Sequence, residues 1–375
     1  MSDTVAERPA PGSDPDGPVM QRLSTLDRYL PVWIVAAMAL GLALGRSLPG
    51  LDDTLDTVQV ADVSLPIAVG LLLMMYPVLA KVRYGELGAV TSDRRLLVAS
   101  LVVNWLLAPA LMFALAWIFL PDLPEYRTGL IIVGLARCIA MVLIWNDLSC
   151  GDREAAAVLV AINSVFQIVA FAALGWFYLE LLPGWLGLGQ ESLDVGLWTI
   201  ARSVLVFLGV PLLLGLLTRV VGERAKGRTW YEQRLLPRIG PVALYGLLFT
   251  IVVLFALQGD TITRQPWDVA RIAVPLLVYF AITFAGSFLL GHLLGLGYPR
   301  TATLSFTAAG NNFELAIAVC IGVFGVTSGQ ALAGVVGPLI EVPVLVALVY
   351  ASLWARRRFY PDSAAPGALH DRSTA

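Results

Sequence analysis

Charge is scarce in this 375-residue chain: 14% of its residues are Asp, Glu, Lys or Arg, against 58% hydrophobic. Soluble domains carry about 25% charge. The deficit, with apolar runs of about twenty residues, points to a polytopic helical membrane protein. The short alternating segments of a β-barrel are missing. Histidine and cysteine are scarce too. Two His (His292, His370) and three Cys (Cys138, Cys150, Cys320) have no metal-site spacing, which argues against structural zinc or haem. No phosphate-binding G-x-x-x-x-G-K-[ST] run occurs, which excludes an ATP-driven pump on this chain. No Ser–Lys, His–metal or paired-Asp set falls inside the apolar spans, so neither an enzyme nor a cofactor is expected. Residues 1–25 lack the basic start and short apolar core of a cleaved leader. Rich in Pro, Asp and Gly, they read as a disordered cytoplasmic tail.

What is present is apolar and segmented. The pattern predicts an all-α integral membrane protein with ten transmembrane helices, over 31–48, 64–80, 96–120, 128–146, 154–182, 197–220, 239–258, 269–295, 301–326 and 330–354. With the N-terminus cytoplasmic, the inner segments hold Lys81, Arg83, Arg94, Arg95, Arg153, Arg300, a basic run over 218–238 and Arg356, Arg357 and Arg358. The outer ones hold only Arg46, Arg127, Arg264 and Arg271 and carry acids instead, among them Asp52, Asp53, Asp56, Asp62, Glu191 and Asp194. That positive-inside bias puts both termini in the cytoplasm. The expected layout is a tail (1–25), helices 1–6 over 26–217, a basic cytoplasmic loop (218–238), helices 7–10 over 239–355 and a second tail (356–375). Five and five helices then run in opposite senses, the inverted-repeat plan of many secondary transporters.

Polar residues at membrane depth mark the fourth helix of each half. Ionisable groups there cost at least ~2.5–3.5 kcal/mol and are functional candidates by default. In span 9, FTAAGNNFELAIAVC gathers small residues, Gly310, Asn311, Asn312 and Glu314, a composition that breaks a helix or lets it approach a neighbour. In span 4, GLARC places Arg137 and Cys138 near mid-bilayer. Arg137 needs a partner, and Glu314 and Glu341 are the deep carboxylates available. It reads either as a structural ion pair or as part of a working site. Cys138 reads either as a small buried hydrophobe or, beside a guanidinium, as a thiol biased toward thiolate. Burial raises a carboxyl pKa and a nearby Arg lowers it, so Glu314 is placed to exchange a proton. Glu341 lies between two prolines in GPLIEVP, where freed carbonyls permit a kink. Asn104, Asn163 and Gln167 either bind a hydroxylated solute or hold helices together.

The stretches GLARCIAMVLIWNDLSCGDRE, FTAAGNNFELAIAV and VVGPLIEVPVLVALV resemble the arsenite efflux permeases of the arsenical-resistance-three family, within the bile/arsenite/riboflavin transporter superfamily. LDRYLPVWI, MMYPVLAKVRYGEL, NWLLAPALMFALAW and GRTWYEQRLLPRIGP extend the likeness from about Leu26 to Trp354. The resemblance implies a plasma-membrane antiporter with helices 4 and 9 discontinuous. It would export trivalent arsenic, sometimes antimonite, in exchange for protons. Cys138 then matches the family's functional Cys as arsenic ligand, and Glu314 its functional Glu in proton coupling. Arg137, Asn311, Asn312, Glu341, Asn104 and Asn163 are the further residues expected around the substrate. Gly310 stands where the family more often has Ser. The partners expected are arsenite, protons and lipid, with no nucleic acid. A sodium-coupled organic-anion carrier is the alternative, since superfamily relatives move bile acids with sodium.

Overall fold

A computed structural model of the chain describes residues 29–48, 59–60, 63–82, 93–139, 141–188, 196–264 and 266–361. The expected tail over 1–25 and the outer acids Asp52, Asp53, Asp56, Asp62, Glu191 and Asp194 lie outside them. Helices dominate: α1 Leu30–Ser47, α2 Leu65–Ala80, α3 Arg94–Phe119, α4 Pro124–Leu135, α5 Met141–Leu148, α6 Arg153–Trp185, α7 Leu197–Lys226, α8 Leu236–Arg264, α9 Pro266–Leu293, α10 Gly297–Ala309, α11 Phe313–Phe324 and α12 Gly329–Phe359. A two-residue antiparallel pair, β1 Gln59–Val60 with β2 Val63–Ser64, precedes α2.

Six stretches are long and apolar enough to cross a bilayer: α3, α6, α7, Arg228–Leu257, Ala270–Leu293 and α12. Their large apolar side chains also face outward, Val169 at 77% exposure and Leu293 at 73%, as lipid contact requires and water would penalise. α4, α10 and α11, at 12, 13 and 12 residues, rise only about 18–20 Å each, too short to cross alone.

The helix ends follow from their sequences. Asp93 caps α3 through Arg95 N and Leu96 N, Asp152 caps α6 through Ala155 N, and Ser328 caps α12 through Ala331 N, each contributing about 1 kcal/mol. Gly227 at φ 84° ends α7, a conformation that costs glycine nothing. The basic stretch 218–238, expected as a loop, is helical on both sides of that glycine. Its charges pair along the helix rather than opening it: Arg219 with Glu223 and Arg228 with Glu232, each four residues apart.

Packing sorts the helices into two groups. α8 lies along α1 and α2, and α7 along α2; separately, α9 packs on α10, α3 and α12, and α12 packs on α4 and α11. α7 touches both groups, through α2 and through α11. At the basic end of the bundle Arg300 bonds Asp93 at 2.7 Å, Tyr298 donates to the Ser149 carbonyl at 2.6 Å, and Arg356 stacks over Tyr298. At the other end Arg271 bonds Asp122 at 2.8 Å and holds its carboxyl down at about 2.

Candidate functional site

α4 stops because Ala136 turns extended (φ −82°, ψ 112°), and α10 stops because Gly310 does the same (φ −71°, ψ 139°). The two extended stretches cross antiparallel and pair. Arg137 bridges Asn311, the Cys138 N–H donates to the Gly310 carbonyl at 3.3 Å, and the Asn312 N–H donates to the Ala136 carbonyl at 3.0 Å. Helix ends leave backbone groups over, and at membrane depth each needs a protein partner; here the two breaks supply partners for each other. Asn312 then caps α11 by accepting from Leu315 N at 3.0 Å.

Gly310 is needed for space, since its backbone angles suit any residue. A Cβ there would lie 3.0 Å from Cys138 Cβ and 3.3 Å from the Phe306 carbonyl. Cys138, 4% exposed, is thereby packed directly against the break in the other helix.

Arg137 is fully buried, and its partners differ from the expected ones. Its guanidinium donates to the Tyr279 hydroxyl at 2.9 Å, to the Ala308 carbonyl at 3.4 Å and to the Gly134 carbonyl. Among the described residues no carboxylate forms an ion pair with it. The expectation of Glu314 or Glu341 as counter-ion is corrected: carbonyls freed by the breaks, with one phenol, solvate the cation instead. Glu341 is engaged elsewhere, its Oε1 accepting from Asn311 N at 3.3 Å. It is aimed there by α12, whose Gly337 leaves room for the Phe313 ring one turn earlier. Glu314 sits partly exposed in the first turn of α11, where a carboxylate favours the helix dipole. It is within electrostatic range of Glu341 and Lys81.

Tyr279 also fixes an orientation. Its hydroxyl donates to Asn311 Oδ1 at 3.2 Å, which turns the other end of that amide, Nδ2, away from it. Asn312 Oδ1 is likewise used by the helix cap. Asn311 Nδ2, Asn312 Nδ2 and Arg137 Nε have no hydrogen-bond partner among the described residues. Buried donors left this way cost about 1–3 kcal/mol each unless something accepts from them. The crossing therefore offers one thiol and several donors to a ligand rich in oxygen acceptors.

A cavity of about 460 Å³ is lined by Ile139, the neighbour of Cys138, and by Leu143, Asp147, Lys81, Arg219 and Glu232. It lies toward the basic end of the bundle, and Ile139 is the lining residue next to the crossing in sequence.

Of the residues expected at the site, the structure gathers Arg137, Cys138, Asn311, Asn312 and Glu341 at the crossing, with Glu314 in the adjoining turn. Asn104 and Asn163 have no hydrogen bond to those residues among the described residues. Asn104 donates to Ser100, and Asn163 Oδ1 accepts from Trp105 Nε1 at 3.1 Å, where α3 widens into a π turn over Val103–Leu107. Asn104 Oδ1, Asn163 Nδ2 and both polar atoms of Gln167 have no partner there among the described residues. Tyr279 was not anticipated. Within VPLLVYFAITF one aromatic reads as packing, and no signal in the sequence marks it out.

Comparison with known proteins agrees with this architecture. The profile of the Sodium Bile acid symporter family matches residues 68–265. The chain is 62% identical over 341 residues to the arsenical-resistance protein Acr3 of Corynebacterium glutamicum, covering 91% of this chain and 92% of that one. It is 33% identical over 348 residues to the arsenical-resistance protein Acr3 of Alkaliphilus metalliredigens, covering 90% and 95%. It is 36% identical over 346 residues to an uncharacterized transporter of Synechocystis, covering 87% and 88%. Its apolar helices and its transporter relatives make it a multi-pass protein of the plasma membrane and not an enzyme. The chain belongs to the arsenical-resistance Acr3 proteins of the Sodium Bile acid symporter family.

Proposed function

We propose that this protein exports arsenite, the neutral trihydroxide of trivalent arsenic, from the cytoplasm in exchange for protons, and so confers arsenic resistance. The observation that carries this reading is the meeting of one thiol, Cys138, with amide donors at the crossing that lack partners among the described residues. Trivalent arsenic is soft and thiophilic, and its hydroxyl oxygens accept hydrogen bonds. Three thiolates would hold it too firmly, and transport requires release. The names of the two arsenical-resistance relatives point the same way. Antimonite, with the same charge and thiophilicity, suits the same groups.

In this reading α4 with α5 and α10 with α11 each make one interrupted span. The chain crosses ten times with both ends in the cytoplasm, as two inverted five-helix halves. The two breaks fall at the fourth span of each half, which supports it, as does the gathering of arginines at one end. Arsenite enters through the cavity beside Ile139. The Cys138 thiol displaces one arsenic hydroxyl, forming an S–As bond and releasing water, while Asn311 and Asn312 donate to the remaining oxygens. After the carrier turns outward, water reverses that exchange, and a proton from outside returns on Glu314, with Glu341 nearby as a second carboxyl. Coupling requires proton and substrate to oppose each other's binding, and such linkage is reciprocal. The family's bile-acid description favours one alternative, sodium-coupled organic-anion transport, which predicts sodium dependence and indifference to Cys138.

The test uses everted membrane vesicles with an inside-acid pH gradient. Arsenite uptake driven by the gradient, and lost in Cys138→Ala, is expected. Uptake that survives the substitution discards the thiol mechanism. Uptake absent from the wild type under every proton gradient removes arsenite as substrate.

A further inference from the structure

At the basic end of the bundle, the start of α3 and the turn between α9 and α10 border a second, open cavity of about 470 Å³. Arg94, Arg95 and Arg300 line it with Asp93, and Leu294 and Leu296 form its apolar wall. Arg300 is committed to Asp93 at 2.7 Å and reaches Asp152 at 3.4 Å. Arg94 and Arg95 are exposed and have no ion-pair partner among the described residues. Three cations against one lining carboxylate leave the cavity positive.

Below it the surface changes character. α3 and α9 pack side by side. α3 shows Val98 and Val102 at 58% and 40% exposure, four residues apart on one face. α9 likewise shows Leu289 and Leu293, at 58% and 73%. A cationic cavity at the end of the helices is thus followed, further along both of them, by exposed apolar side chains that make an apolar strip.

We infer that this is a binding site for an anionic phospholipid, with its phosphodiester between Arg94, Arg95 and Arg300 and its acyl chains along Val98, Val102, Leu289 and Leu293. A free phosphate would use the arginines but has no use for the strip. The strip is the reason for assigning a lipid, and basic pockets between helix ends suit such headgroups. Because Arg300 also holds the caps of α3 and α6, the bound headgroup sits one ion pair from the turn that follows α5.

Native mass spectrometry of the full-length protein tests this without any transport assay. The protein is titrated with phosphatidylglycerol and with phosphatidylcholine of identical chains. Wild type is expected to retain phosphatidylglycerol preferentially. The preference should fall roughly fivefold per arginine, or about 25-fold in Arg94→Gln/Arg95→Gln. Arg94→Lys/Arg95→Lys should keep most of it. Equal retention of both lipids by wild type, or an undiminished preference in the double Gln variant, overturns the assignment. So does millimolar inorganic phosphate that abolishes the preference, since the pocket would then be taking the free anion.

Discussion

Replacing Tyr279 by Phe removes one oxygen from the centre of the crossing and leaves the ring packing in place. Two interactions go with it. Among the described residues Arg137 Nη1 keeps only the Ala308 carbonyl at 3.4 Å, near the limit for a useful bond. Asn311 Oδ1 loses its donor. A hydrogen bond to a charged group contributes ~1.5–3 kcal/mol, and a stranded buried acceptor costs a similar amount. The two share a network and do not add, so a net loss of about 2–4 kcal/mol is expected. Most of it destabilises the crossing. About 1 kcal/mol falls on the Asn311 amide, which can then turn its oxygen toward the substrate, so KM for arsenite should rise roughly five- to tenfold. The assay is initial uptake by everted vesicles across a range of arsenite concentrations, alongside thermal denaturation of the purified protein. Lowered thermal stability with raised KM is expected. A variant with wild-type KM would refute the claim that the hydroxyl sets the amide's orientation, whatever its stability.

Gly310→Ala adds a Cβ 3.0 Å from that of Cys138; overpacking of this kind costs about 1–3 kcal/mol, and both thermal stability and arsenite uptake should drop. Wild-type behaviour would mean that the contact relaxes freely. Cys320 is fully buried among Ile317, Val319 and Ile321 on α11, and Cys320→Ala should leave the KM for arsenite unchanged while Cys138→Ala abolishes uptake. Equal loss in both would deny Cys138 its special role. Glu314→Gln, fixed in a neutral form, should make arsenite uptake unresponsive to the pH gradient; an intact response would move the proton to another group, with Glu341 next in line.

The polar clusters were legible because apolar sequence makes them conspicuous: Arg137, Cys138, Asn311, Asn312 and Glu314 each stand out against Leu, Ile, Val and Ala, and the breaks fall where small and amide residues interrupt those runs. Arg137's partners were not legible. A reading of side chains looks for a carboxylate, whereas the cation is met by backbone carbonyls that appear only once a helix is known to stop. Tyr279 is hidden for a related reason, since its ring belongs to the packing and only its hydroxyl to the site. The stretch 218–238 misled by its charge density. Its acids and bases are spaced four apart, which supports a helix as readily as a loop.

The bonds that tie Cys138 to Gly310 and Asn312 to Ala136 run between main-chain atoms. A side-chain substitution deletes none of them; at positions 138 and 312 only proline removes the donor. The frame is thus insulated from the chemistry mounted on it. The side chains around the crossing can change without redesigning how the two broken helices meet. Because each bond joins one broken helix to the other, tilting either alone would break both, and in the proposed transport cycle the two are expected to move together.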